Sequence, residues 1–220
     1  MAKSFLYIIA LMSFLVASSA GAITWGEPDG EAHPNVGNIT RVFDGYTTFR
    51  ACTGTLIASR VVLTAAHCLE YNGVPNEHTF VRFDEDALEG FDPDDIQGWL
   101  EEKWLSAEVI IQHPEWSGFW LPYTYDVGVI ILAEPYDVDT YGMLPPLGFL
   151  DILKGREKQH FVTVGYGGEN LPPWVRGPGQ RYNANVRLLE LISYYSGKEG
   201  ANAKFSSNPG IGGGICHGDS

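Results

Sequence analysis

The 220-residue sequence predicts an all-β fold, and three observations carry the prediction. Twenty-six glycines and 13 prolines imply many turns, which suits an all-β chain better than a helical bundle. Short runs rich in β-branched residues recur along the chain, each closed by Gly, Pro, Asn or Asp. No long helical period is visible between them. Strands of this length and spacing point to a sandwich or a barrel.

Taken in order, residues 1–22 are expected to stand outside the fold as a signal peptide. Lys3 supplies a positive start, and Phe5 to Val16 is an apolar run broken only by Ser13. That run is short for a bilayer span and right for a signal-peptide core. Ser18-Ser19-Ala20 and Ala20-Gly21-Ala22 both fit a small-x-small cleavage site. The mature chain is then expected to be secreted, extracellular and free of the membrane. Ile23 to Gly30 reads as a start and a turn. Strands are expected at Asn38–Phe43, Gly54–Ser59, Val61–Thr64, Thr79–Phe83, Ala107–Gln112, Val127–Leu132, Phe161–Val164 and Val186–Leu191, with one helical turn at Ala65–Leu69. The acidic stretch Asp84–Glu102 is expected to be a solvated loop. Calcium binding is the rarer reading there, because the spaced ligands and central glycine of an EF-hand are missing. Pro135 to Phe149 reads as a connector between two halves, and Leu171 to Arg181 as a long loop.

Composition narrows the function. Apolar residues at 45% and charged residues at 19% describe a chain able to bury a core. A net charge of −13 argues against a nucleic-acid partner, since such binding draws on clustered Lys and Arg. His33, His78, His113, His160 and His217 form no metal-spaced cluster, and no metal or cofactor is expected.

Three local signals carry chemistry. The first is Thr64-Ala65-Ala66-His67-Cys68, directly after the strand Val61-Val62-Leu63. A tie between Cys68 and Cys52 would staple this histidine to the neighbouring strand. A loop of that size is worth about 3 kcal/mol. The second is Gly218-Asp219-Ser220 at the end of a glycine-rich stretch, where the backbone N–H groups of Gly218 and Ser220 can converge on a developing oxyanion. The third is Asp126 at the head of the apolar strand Val127–Leu132. A carboxylate there needs a hydrogen-bond partner, and a histidine N–H is a suitable one.

Together, His67, Asp126 and Ser220 stand in the chain order His…Asp…Ser. In this combination the sequence resembles the trypsin/chymotrypsin family of secreted serine proteases from Ile23 to Ser220. Val162-Thr163-Val164-Gly165-Tyr166-Gly167 is similar to a strand of that family, with tyrosine in place of tryptophan. The resemblance implies two antiparallel six-stranded β-barrels, an N-terminal one over 23–138 and a second over 139–220, forming one peptidase domain. It implies that Ser220 is the nucleophile, His67 the general base and Asp126 the residue that orients the imidazole. It implies that Ile23, as a free N-terminus, pairs with Asp219. Gly214 takes the position at the pocket floor where trypsin carries an aspartate, so no fixed charge there attracts Lys or Arg.

The expected substrates are proteins or peptides, and the expected state is a monomer. The family's pattern continues past the nucleophile, and the family partner of Cys216 lies in that continuation, which leaves Cys216 unpaired here. The second barrel is accordingly expected to be incomplete, and a chain ending at Ser220 is expected to have little peptidase activity. The competing reading is an inactive fragment, or a non-catalytic homologue acting as a secreted binding protein.

Overall fold

A computed structural model describes residues 23, 26–118, 125–152, 160–167, 169–171, 174–176, 179–191, 203–207 and 214. The strands in chain order are β1 (Glu27–Pro28), β2 (Val36–Phe43), β3 (Tyr46–Ala58), β4 (Val61–Thr64), β5 (Glu70–Tyr71), β6 (Val74–Pro75), β7 (His78–Arg82), β8 (Leu105–Gln112), β9 (Gly128–Leu132), β10 (His160–Gly165), β11 (Glu169–Leu171), β12 (Trp174–Arg176), β13 (Tyr182–Glu190) and β14 (Lys204–Phe205). A single α-helix among the described residues, α1 (Ile96–Lys103), lies between β7 and β8, and 3₁₀ turns occur at Ala66–Leu69 and Phe149–Ile152. The expected all-β class is therefore found. No described helix is long and apolar enough to cross a membrane.

Six antiparallel strands close into a barrel in the order β2-β3-β4-β9-β8-β7, with β7 returning to β2. Local sequence sets the first hairpin. Asp44 and Gly45 both hold positive φ, 47° and 72°, as a two-residue turn matched to strand twist requires. Alternation then fills the interior. Along β9, Gly128, Ile130 and Leu132 are buried while Val129 and Ile131 are only partly so, the period of two expected of a strand with one face inward. Ile39, Leu56, Val62, Val81, Ile130 and Leu132 meet inside.

The acidic stretch departs from its expected loop. Asp95 caps α1 by accepting the Gly98 N–H at 3.0 Å. The helix then turns Trp99 and Leu100 inward, to 4% and 3% exposure. Trp99 meets Phe49, Phe91 and Trp104 edge-on, with ring centroids 5.8, 5.2 and 5.6 Å away. Burial of two large side chains against the outside of the barrel stabilises a helix whose other residues are mostly charged or polar. Other carboxylates serve local turns: Asp86 accepts the Leu88 N–H and Asp92 the Asp94 N–H. The second correction concerns Leu171–Arg181, where β11 and β12 pair antiparallel, Leu171 opposite Trp174. Trp and Val favour extended backbone.

The second sheet is built on β13, which pairs with β1 on one side and β10 on the other, and across a bulge with β14. A buried polar hub ties it to the barrel. The Arg181 side chain is fully buried and its Nε donates to Asp29 Oδ2 at 2.9 Å. Its Nη1 donates to the carbonyls of Val36 (3.2 Å) and Phe83 (2.8 Å), and its Nη2 to that of Gly30 (2.6 Å). Asp29 also accepts from Asn183 Nδ2 at 3.1 Å and from the His33 N–H at 3.0 Å. The Tyr166 hydroxyl lies 3.0 Å from Arg181 Nη1 and donates to the Asp84 carbonyl at 2.6 Å. Burial pushes the Tyr166 hydroxyl well above its ordinary pKa. Burial also works against the Arg181 charge, but Tyr166 and Asp29 outweigh it and hold the guanidinium pKa above its usual value.

Candidate functional site

Strand register brings two distant residues to one end of the barrel. β4 and β9 are antiparallel neighbours, with Thr64 opposite Gly128. The turn that follows β4 carries His67, and the loop that precedes β9 carries Asp126, so the two meet. A glycine is needed at 128 for this approach, because a Cβ there would lie 2.7 Å from Leu69 Cδ1 and 2.8 Å from the Ala65 carbonyl. The Asp126 loop is itself tight. The Val127 N–H donates to the Tyr125 carbonyl at 2.8 Å across a one-residue turn. Tyr125 holds φ 47°, and its ring stacks on His113 at 5.1 Å.

Asp126 grips His67 twice. Oδ1 accepts the His67 backbone N–H at 2.9 Å, and Oδ2 lies 2.8 Å from Nδ1. The side chains are 25% and 18% exposed, so the pair sits at a surface but is largely covered. Burial works against the Asp126 charge, yet the hydrogen bonds from His67 and from the Ala66 backbone outweigh it and hold the carboxyl below its ordinary range. An ionised Asp126 accepts a hydrogen bond from Nδ1–H, which keeps the proton on Nδ1 and leaves Nε2 as the basic nitrogen. Nε2 lies 3.7 Å from Cys68 Sγ and 3.9 Å from Cys52 Sγ.

The turn carrying His67 is held on three sides. The Cys52–Cys68 disulfide is formed, with Cα atoms 5.9 Å apart. Arg41 on β2 donates through Nη1 to the carbonyls of His67 (3.3 Å) and Glu70 (2.8 Å). Gln112 at the end of β8 donates through Nε2 to the Ala66 carbonyl at 2.9 Å. Sequence reading missed Arg41 and Gln112. Each lies on a strand remote in sequence from the turn, and its acceptors are chiefly backbone carbonyls, which leave no mark in a sequence.

The remaining expected site residues are placed as follows. Ile23 is fully buried and packs with Tyr182 and Ala184. Gly214 is buried, and a Cβ there would fall 2.7 Å from Ser207 Cα, so the close approach depends on glycine. Cys216, Gly218, Asp219 and Ser220 lie outside the described residues, as do residues 1–22. Among the described residues, Cys52, His67 and Cys68 bring ligand-type atoms within 4.8 Å of one another. Both sulfurs are committed to the disulfide, and it is the thiolate that ligates a metal.

A closed antiparallel barrel with a histidine doubly bonded to an aspartate at its rim is the frame of a trypsin-like serine protease. The chain belongs to the trypsin family, whose sequence model matches residues 31–220. It is 30% identical to human chymotrypsin-like elastase family member 1 over 107 residues, 47% of this chain and 37% of the human protein. It is 34% identical to the serine protease Hayan of Drosophila melanogaster over 106 residues, 48% of this chain and 15% of Hayan. The matched stretch thus spans well under half the length of these relatives. Among solved structures, neuropsin, a serine protease expressed in the limbic system of mouse brain, superposes with a TM-score of 0.50 at 20% identity, covering 76% of this chain and 64% of neuropsin. That likeness is one of fold.

Proposed function

We propose that this protein is a secreted serine endopeptidase that hydrolyses peptide bonds through His67, Asp126 and Ser220 by way of an acyl-enzyme. The observation that carries the reading is the double hydrogen bond between His67 and Asp126, which fixes the imidazole in the orientation and tautomer a general base needs. In this reading Nε2 of His67 takes the Ser220 hydroxyl proton as the oxygen attacks the peptide carbonyl. The same nitrogen then delivers the proton to the leaving amine, and a water repeats the cycle to release the acyl group. The depressed pKa of Asp126 keeps the carboxylate charged beside the imidazolium that forms. The backbone N–H groups of Gly218 and Ser220 receive the oxyanion, a contribution of about 3 kcal/mol for one donor. Gly214 leaves the pocket floor uncharged, and Ile23 pairs with Asp219 once its amino group is free. The cleft lies between an N-terminal unit over 23–138 and a second over 139–220, and the substrates are proteins or peptides met by a monomer.

The test is active-site labelling of the protein secreted from its complete coding sequence. A fluorophosphonate probe is expected to modify Ser220, and Asp126→Asn is expected to slow peptide hydrolysis by about 10⁴-fold with the fold retained. A folded protein that hydrolyses no peptide and takes no label overturns the reading, as does activity that survives Asp126→Asn unchanged.

A further inference from the structure

A cavity of about 610 Å³ opens between the β2–β3 hairpin, the start of β7 and α1. It shares no residue with the His67–Asp126 pair. Its size falls in the roughly 300–1,000 Å³ range of ligand sites. The apolar part is made by Phe49, Phe80, Ile96 and Leu100. Leu100 is buried, and the other three pack against the cluster that holds Trp99 and Trp104, so this surface is rigidly backed. The polar part is acidic. Glu77 Oε1 accepts the Asp44 N–H at 3.1 Å, and Glu101 Oε1 accepts from Gln97 Nε2 at 2.9 Å, so each carboxylate is oriented with accepting capacity to spare. Neither lysine nor arginine lines the cavity, and His78 is its basic side chain. Tyr46 stands at the hairpin tip, 68% exposed.

We propose that this groove binds a basic segment of a partner polypeptide, with an arginine or lysine head at Glu77 and Glu101 and apolar side chains on Phe49, Phe80 and Leu100. Charge complementarity sets the sign of the occupant. Two oriented carboxylates without a cationic neighbour in the lining favour a positive group, and the chain's net charge of −13 steers such groups toward it. The apolar wall sets its kind. A bare polyamine would fill the acidic part and leave the aromatic surface wet, whereas a peptide covers both. The proposal is independent of the peptidase reading.

The test is fluorescence anisotropy with the full-length protein and a labelled peptide of alternating Arg and Leu. Saturable binding is expected, and the same peptide with Glu for Arg is expected not to bind. Glu77→Gln and Glu101→Gln are each expected to weaken binding by about tenfold, the scale of one charge-assisted contact. Tyr46→Ser, an exposed change that leaves the fold alone, is expected to weaken it less, and Glu134→Gln, exposed and outside the groove, not at all. Equal weakening by Glu134→Gln and Glu101→Gln overturns the proposal in favour of diffuse charge attraction. Displacement of the peptide by spermine at equal charge overturns it in favour of a compact cation. Absence of saturable binding overturns it outright.

Discussion

In the closed barrel every strand has two hydrogen-bonded neighbours, because β7 returns to β2. Among the described residues the sheet around β13 makes no such return. It meets the rest of the molecule through the Arg181, Asp29 and Tyr166 side chains and through backbone hydrogen bonds of Gly179 and Arg181 with Ala87 and Glu85. The barrel is held by backbone pairing and an apolar interior, so it rests on many small terms. The β13 sheet also has backbone pairing and buries Tyr182, Ala184, Val186 and Leu188, but adds a cluster of charged and polar groups far from water. Closure gives His67 and Asp126 a rigid common support, while Arg181 gathers partners from Asp29, Gly30, Val36, Phe83 and Tyr166 at one buried point beside the second sheet.

Substitutions sharpen that contrast. The largest effect is expected from Arg181→Met, which takes the guanidinium from the buried Asp29 carboxylate and costs about 3–5 kcal/mol. Hydrogen exchange should rise at β10 and β13 while β4 and β9 stay protected, and equal loss across both sheets would erase the distinction. Replacing Cys52 and Cys68 together by Ala is expected to cost about 3 kcal/mol, read by urea unfolding, and to loosen the barrel rim rather than the β13 sheet. Asp126→Asn is expected to cost on the order of 2 kcal/mol at neutral pH, the scale of hydrogen bonds to a charged group. Because the folded pKa of Asp126 is depressed, that contribution is complete above its unfolded value near 3.9 and fades as pH falls through the lower folded value. The stability gap between wild type and Asp126→Asn should therefore close only in acid. The smallest effect is expected from Asp95→Ala, about 1 kcal/mol for the lost cap, seen as fraying of α1 with the His67–Asp126 pair undisturbed.

These contrasts also explain what the sequence could reveal. His67 and Asp126 were legible because each sits beside a strand with a plain apolar pattern, Val61-Val62-Leu63 and Val129-Ile130-Ile131-Leu132, and the pairing of those strands carries the site. Arg181 was not, since four of its partners are the carbonyls of Gly30, Val36 and Phe83 and the hydroxyl of Tyr166, whose identities say nothing of a nearby guanidinium. The helix α1 was hidden for another reason. Only Trp99 and Leu100 mark its buried stripe, and the carboxylates around them dominate the local composition. The strand β3 extends back to Tyr46, eight residues before the expected start at Gly54, because a long hairpin partner in β2 pairs with Thr47 and Thr48 as readily as with more apolar residues.

Asp29 and Arg181 stand 152 positions apart, and Glu27 and Pro28 are zipped onto Asn183 and Tyr182 beside them. The beginning and the far portion of the molecule are thus fastened to each other, not merely threaded in series. A single cut in the proline-rich connector at 135–149 would sever the covalent path without releasing either piece, and a nicked protein would still migrate as one particle until it was denatured.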